Sequence, residues 1–94
     1  MAAPYHPPVK RSLAIAGHRT SISLEPVFWD LLKRAAQEEG LALAALVARI
    51  DAERIQADTP PGLAGALRVW LVARIIAGSS IEIDSDGSIG EIEG

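Results

Sequence analysis

Residues 19–50, RTSISLEPVFWDLLKRAAQEEGLALAALVARI, decide the fold. At the start of this stretch Thr20, Ile22 and Leu24 alternate with Arg19, Ser21 and Ser23. That is the two-residue period of a strand with one face on a core. Glu25-Pro26 follows as a helix start, because proline fits a first helical position whose N–H would be unpaired anyway. Leu24 and Trp29 flank that start as a hydrophobic staple. Phe28, Leu31, Leu32, Ala35 and Ala36 then recur at helical spacing, with Asp30, Lys33, Arg34 and Glu38 on the other side. Gly40 ends this helix, since it accepts a left-handed cap without strain. A second helix is expected from Ala42 to Gln56, its stripe marked by Leu43, Leu46, Val47, Ile50 and Arg54.

Upstream, Leu13 and Ile15 alternate with Ser12, Ala14 and Ala16 before Gly17 offers a break. Residues 1–9 form a Pro-rich leader, expected to be flexible. Downstream, Asp58, Pro60, Pro61 and Gly62 make residues 57–62 a linker. A third helix is predicted over 63–77. Leu63, Ala66, Leu67, Trp70, Leu71 and Ile75 form one face, and Val69, Val72 and Ile76 carry the apolar surface around the cylinder. Only Arg68 and Arg74 are charged there, so this helix should be covered on several sides. Leu67, Trp70 and Leu71 are the expected oligomer contacts. Residues 78–94 alternate isoleucine with acids about Asp86-Gly87, as an acidic tail or a small hairpin.

Ninety-four residues make one domain. Apolar residues are 49% of the chain, but 16 of them are alanine and only four residues are Phe, Trp or Tyr. So thin a supply of large side chains points to help from a second subunit. The absence of cysteine excludes disulfides, thiolate metal sites and a cysteine nucleophile. No signal peptide and no run of 18 apolar residues is apparent, so a cytoplasmic, non-membrane protein is expected. The net charge of −3 conceals an asymmetry. Residues 1–24 carry Lys10, Arg11 and Arg19 with no acid, whereas residues 79–94 carry five acids and no base.

Strand, helix, glycine turn and helix, in that order over Arg19 to Arg54, resemble the ribbon-helix-helix (Arc/MetJ-like) family of bacterial DNA-binding proteins. The segments GHRTSISLEPVFW, LAALVARID and ALRVW are similar to a subfamily of short stand-alone members with an extra C-terminal helix. The resemblance implies a mostly α fold with one short β-strand. That strand would pair with a second chain's into an antiparallel ribbon lying in the DNA major groove, in an obligate dimer. It places Arg19, Ser21 and Ser23 at base-reading positions. It places Ile22, Leu24, Phe28, Leu31, Leu32, Leu46, Val47 and Ile50 in the dimer core. The N-terminus of the second helix, Leu41, Ala42 and Leu43, would meet phosphate, joined by Lys10, Arg11 and His18. Many relatives carry Ser or Thr as the cap where this chain has Ala42, which removes the hydroxyl and keeps the backbone donors.

The expected function is therefore a sequence-specific transcriptional regulator of double-stranded DNA, acting as a homodimer or tetramer from residues 10–56. The alternative is an antitoxin-like interaction module that binds a partner protein through residues 63–94. No Ser, His and acid stand at a catalytic spacing, and no glycine-rich phosphate loop occurs, so neither enzyme activity nor a cofactor is expected. Glu82, Asp84, Asp86, Gly87, Ile89 and Glu93 fit a calcium-loop template. The initial Glu and the lack of a following helix weigh against a metal there.

Overall fold

The computed structural model describes residues 5–78; the acidic segment and its calcium-loop pattern lie outside them. Two strands are followed by three helices: β1 Val9–Ile15, β2 His18–Leu24, α1 Pro26–Glu39, α2 Leu43–Arg54 and α3 Leu63–Gly78. The helices match the sequence expectations to within two residues at each end. The single strand does not. Residues 9–15 are a second strand, antiparallel to β2 in the same chain, with Val9 opposite Leu24 and Ile15 opposite His18. The ribbon described is thus a hairpin of one chain rather than a pairing between chains.

Ala16 and Gly17 make the turn, with φ of 51° and 83°. Both central residues lie in the left-handed region, as in the two-residue turns whose twist matches that of the flanking strands. Glycine tolerates this; alanine does so at a cost.

α1 begins on Pro26 with Glu25 as its cap and ends on Gly40 in the left-handed conformation, φ 69°. There the Leu41 N–H donates to the Ala36 carbonyl at 2.9 Å and the Gly40 N–H to the Gln37 carbonyl at 3.1 Å, which satisfies two carbonyls of the last turn. α2 begins after Ala42, whose side chain makes no capping bond.

One face of the hairpin lies on the helices, β1 against α2 and β2 against α3. Ile15, Ile22 and Leu24 from the hairpin meet Trp29, Leu32, Ala35 and Ala36 of α1, Leu46, Val47 and Ile50 of α2, and Leu67 and Leu71 of α3. Trp29 is the largest of these side chains. Its indole N–H donates to the Val9 carbonyl at 2.9 Å, which ties α1 to the outer strand and satisfies the polar edge of a buried ring.

Three expectations change. Ile22, Leu24, Leu32, Leu46, Val47 and Ile50, assigned to a dimer core, already form the core of a single chain. Phe28 and Leu31, assigned with them, are only half-buried, and Trp29 takes the central place. Leu67 and Leu71, expected at an oligomer interface, are sealed inside the chain, 0% and 1% exposed, and of the three only Trp70 remains partly accessible. The reason is the added helix itself: α3 folds back over α1 and α2 and covers what a bare two-helix unit would leave open.

Candidate nucleic acid interface

Alternation along the hairpin sends one set of side chains to the core and the other to solvent. The outward set consists of three cross-strand pairs: Lys10 with Ser23, Ser12 with Ser21, and Ala14 with Arg19. These residues are exposed except Ser23, which is half-buried. The face is small, polar and cationic, without an acid, and sits on a rigid hydrophobic base. The Arg19 guanidinium reaches diagonally across the ribbon and donates from Nη1 to the Ser12 hydroxyl at 3.3 Å.

The arginines of α2 and α3 are held differently. Arg54 donates from Nε to Asp51 at 2.8 Å and from Nη1 to the Pro61 carbonyl at 2.9 Å. Arg68 grips Glu25 at 3.0 and 3.3 Å while lying over the Phe28 ring. Arg74 bridges Glu38 and Glu39 at 2.8 and 2.6 Å, and Arg49 stands 3.5 Å from Glu39. The carboxyls respond. Glu25 is held below the usual range chiefly by its own backbone N–H, against a desolvation that pushes the other way, with Arg68 adding to the lowering. Glu39 is lowered mainly by the Arg74 hydrogen bond, again against desolvation. Arg74 is held further in its charged form by Glu38 and Glu39. Among the described residues no carboxylate lies within ion-pair distance of Lys10, Arg11 or Arg19.

The sequence-assigned DNA residues divide accordingly. Arg19, Ser21 and Ser23 share the outward face, and Lys10 joins them across the ribbon. Arg11 falls on the opposite face by register and lies over the Trp29 ring, 5.4 Å from its centroid. His18 also belongs to the core-side set, at the mouth of a cavity of about 260 Å³ shared with Thr20, Asp51, Arg54 and Leu63. The Leu41 N–H is already bonded to Ala36, so only the residues after it can offer free amides at the start of α2. Ser12 and Ala14 were missed. The signal was the alternation of residues 12–16, which needed a strand on both sides of Gly17 to be read.

Among the described residues no three His, Asp or Glu side chains are grouped to hold a metal ion, and no helix is long and apolar enough to cross a membrane. A family model described as a ribbon-helix-helix domain matches residues 8–75. No curated protein and no solved structure matches the chain.

Proposed function

The chain belongs to the ribbon-helix-helix family, and on that premise we propose that it is a sequence-specific DNA-binding regulator that reads the major groove with the outer face of its hairpin. The observation that carries this reading is the row of acid-free polar pairs, Lys10–Ser23, Ser12–Ser21 and Ala14–Arg19, on an exposed ribbon face. A groove about 12 Å wide admits two strands less than about 5 Å apart. Arg19 supplies a bidentate donor for guanine O6 and N7, at the expense of one weak bond to Ser12. Ser21, Ser23 and Ser12 donate to or accept from whichever base edge lies opposite. Lys10 reaches the flanking phosphates as a point charge. Leu43 and Ala44 present unpaired amides at the start of α2, a second phosphate contact that does not need the missing hydroxyl of Ala42.

The functional unit in this proposal is a homodimer. β2 has no strand partner on its second edge among the described residues. A second chain's β2 can therefore pair along this edge, so that the two β2 strands form the pair that enters the groove with each β1 and its Lys10 at the flank, and two-fold symmetry gives related half-sites in the DNA.

Fluorescence anisotropy against duplexes from the upstream region of the protein's own gene, at several salt concentrations, tests the reading. Specific binding with a steep salt slope is expected. Arg19→Ala should weaken it by about 1–3 kcal/mol and relax sequence preference, and Lys10→Ala should lower the slope by about one. Arg49→Ala, on an arginine already paired with Glu39, should leave both near their starting values. Equal losses from Arg19→Ala and Arg49→Ala, or no binding at low salt, would sink the proposal.

A further inference from the structure

The hairpin offers more than its outward face, because β1, like β2, has an edge with no strand partner among the described residues. The two-residue turn closes on Ile15 and His18, and the pair flanking such a turn exchanges backbone hydrogen bonds. Along an antiparallel ladder, bonded and non-bonded pairs then alternate. Lys10–Ser23, Ser12–Ser21 and Ala14–Arg19 are therefore the non-bonded pairs, the same three that face outward. The N–H groups of Lys10, Ser12 and Ala14 thus point away from β2, in the plane of the sheet. Among the described residues no other backbone carbonyl takes them. The matching amides of β2, on Arg19, Ser21 and Ser23, lie on the edge that the proposed dimer pairs.

We infer that the outer edge of β1 is a phosphate-binding rim, the Ser12 and Ala14 N–H groups donating to DNA backbone phosphates along the wall of the groove. This contact rests on the proposed major-groove reading and adds a second element to it. Width decides where β1 lies. Neighbouring strands are about 4.8 Å apart, so the outer axes of a four-stranded ribbon are about 14 Å apart. The major groove is about 12 Å wide. The two β2 strands fit inside it and the two β1 strands do not, so each β1 stands at a wall. With the outward side chains aimed at the base edges, the in-plane amides aim sideways, at the phosphates. A charged phosphate oxygen accepts from an N–H more strongly than a neutral acceptor does.

The residues of the rim suit this contact. Lys10 adds a cation at one end of the row, with no carboxylate within ion-pair distance among the described residues. Ala14 is exposed and carries only a methyl group, so a phosphate can approach its backbone. Ser12 accepts from Arg19 through its hydroxyl, which leaves its amide for another partner. An amide on a phosphate reads no base. The rim fixes the depth and register of the ribbon, and Arg19, Ser21 and Ser23 do the reading.

Fluorescence anisotropy of the full chain carrying Ala14→Pro tests the rim. Proline there removes an N–H that leaves the sheet edge and no ladder bond, a substitution that edge strands tolerate. Circular dichroism should show the variant folded. Its affinity should fall about tenfold or more, equally on the preferred duplex and on a scrambled one, because a phosphate contact carries no sequence information. Ala14→Ser keeps the amide and should bind like wild type. Should the proline unfold the hairpin, an ester in place of the Leu13–Ala14 peptide bond, installed by chemical ligation, removes the same N–H without the ring. Undiminished affinity in the chain lacking this N–H, or a loss confined to the preferred duplex, would overturn the rim while the effect of Arg19→Ala left base reading intact. A wild-type chain that binds no duplex at low salt would remove both.

Discussion

The hairpin and the two C-terminal helices carry the same kind of charge and handle it in opposite ways. In α2 and α3 every arginine has a carboxylate partner, and two of those arginines find theirs in a distant part of the chain: Arg68 with Glu25, and Arg74 with Glu38 and Glu39. In the hairpin, Lys10 and Arg19 stand on a strand face with only serine and alanine beside them. Paired, half-exposed arginines fix the direction of a helix at little net gain in stability. Unpaired ones on a rigid support keep their attraction for an external anion. The contrast supports the proposed reading of the hairpin face, whose unmatched cations lie on a strand face. The exposed Lys33 and Arg34, also without an ion pair among the described residues, lie on α1 instead.

The division depends on the helices holding the hairpin, because two strands alone are marginal. Trp29 is the main link, buried in the core and hydrogen-bonded to Val9. Trp29→Ala should lower the unfolding free energy by about 3–5 kcal/mol. DNA affinity should fall with it, although the residue touches no nucleic acid. Trp29→Phe keeps most of the packing and loses the indole N–H, for a cost of about 0.5–1.5 kcal/mol in urea denaturation. If Trp29→Ala left stability unchanged, the hairpin would be an independent unit and the comparison would fail.

A smaller effect isolates the hairpin from the helices. Gly17 has φ of +83° and no atom within 4 Å of an added Cβ, so Gly17→Ala meets only backbone strain. We expect a loss of about 1–2 kcal/mol. Ala16→Asn, at the other positive-φ position, should recover part of it, since asparagine visits that region more readily. Thermal melts of the two single variants and the double variant check both expectations. A Gly17→Ala variant as stable as wild type would mean that the turn is not held in this form.

How much could be read beforehand follows from how local each signal was. Gly40, Pro26 and the leucine spacing fixed three helices because each cue acts within one or two turns. The hairpin was half visible. Alternation marked Thr20, Ile22 and Leu24, but Ala16-Gly17 lacks the asparagine or aspartate that usually announces a turn of this type, so residues 9–15 did not register as a partner strand. On α3 the composition is apolar all round, and hydropathy alone does not say which side faces in. Leu67 and Leu71, the longer side chains, went inward, and Val69, Val72 and Ile76 were left outside. The ion pairs of Arg68 and Arg74 span 43 and 35–36 residues and had no local cue.

Acid separates the two classes of charge with the smallest effect. Glu25 and Glu39 titrate below the usual value of 4.5 in the folded chain, so the unfolded chain takes up their protons first. Their contribution to stability is therefore present above pH 4.5 and lost as the pH falls through their folded values. Both groups are open to solvent, which keeps the contribution modest. The hairpin face holds no carboxylate, so acid weakens the helix pairs while that face has no pair to lose. Melting curves from neutral pH downward should show a fall in Tm beginning near pH 4.5, and Glu25→Gln should flatten part of it. Lys10→Ala should leave the shape of the curve unchanged, because no carboxylate in the described residues lies within ion-pair distance of that ammonium. A Lys10→Ala curve flattened as much as that of Glu25→Gln would show that the hairpin cations are paired after all, and the distinction between the two regions would no longer hold.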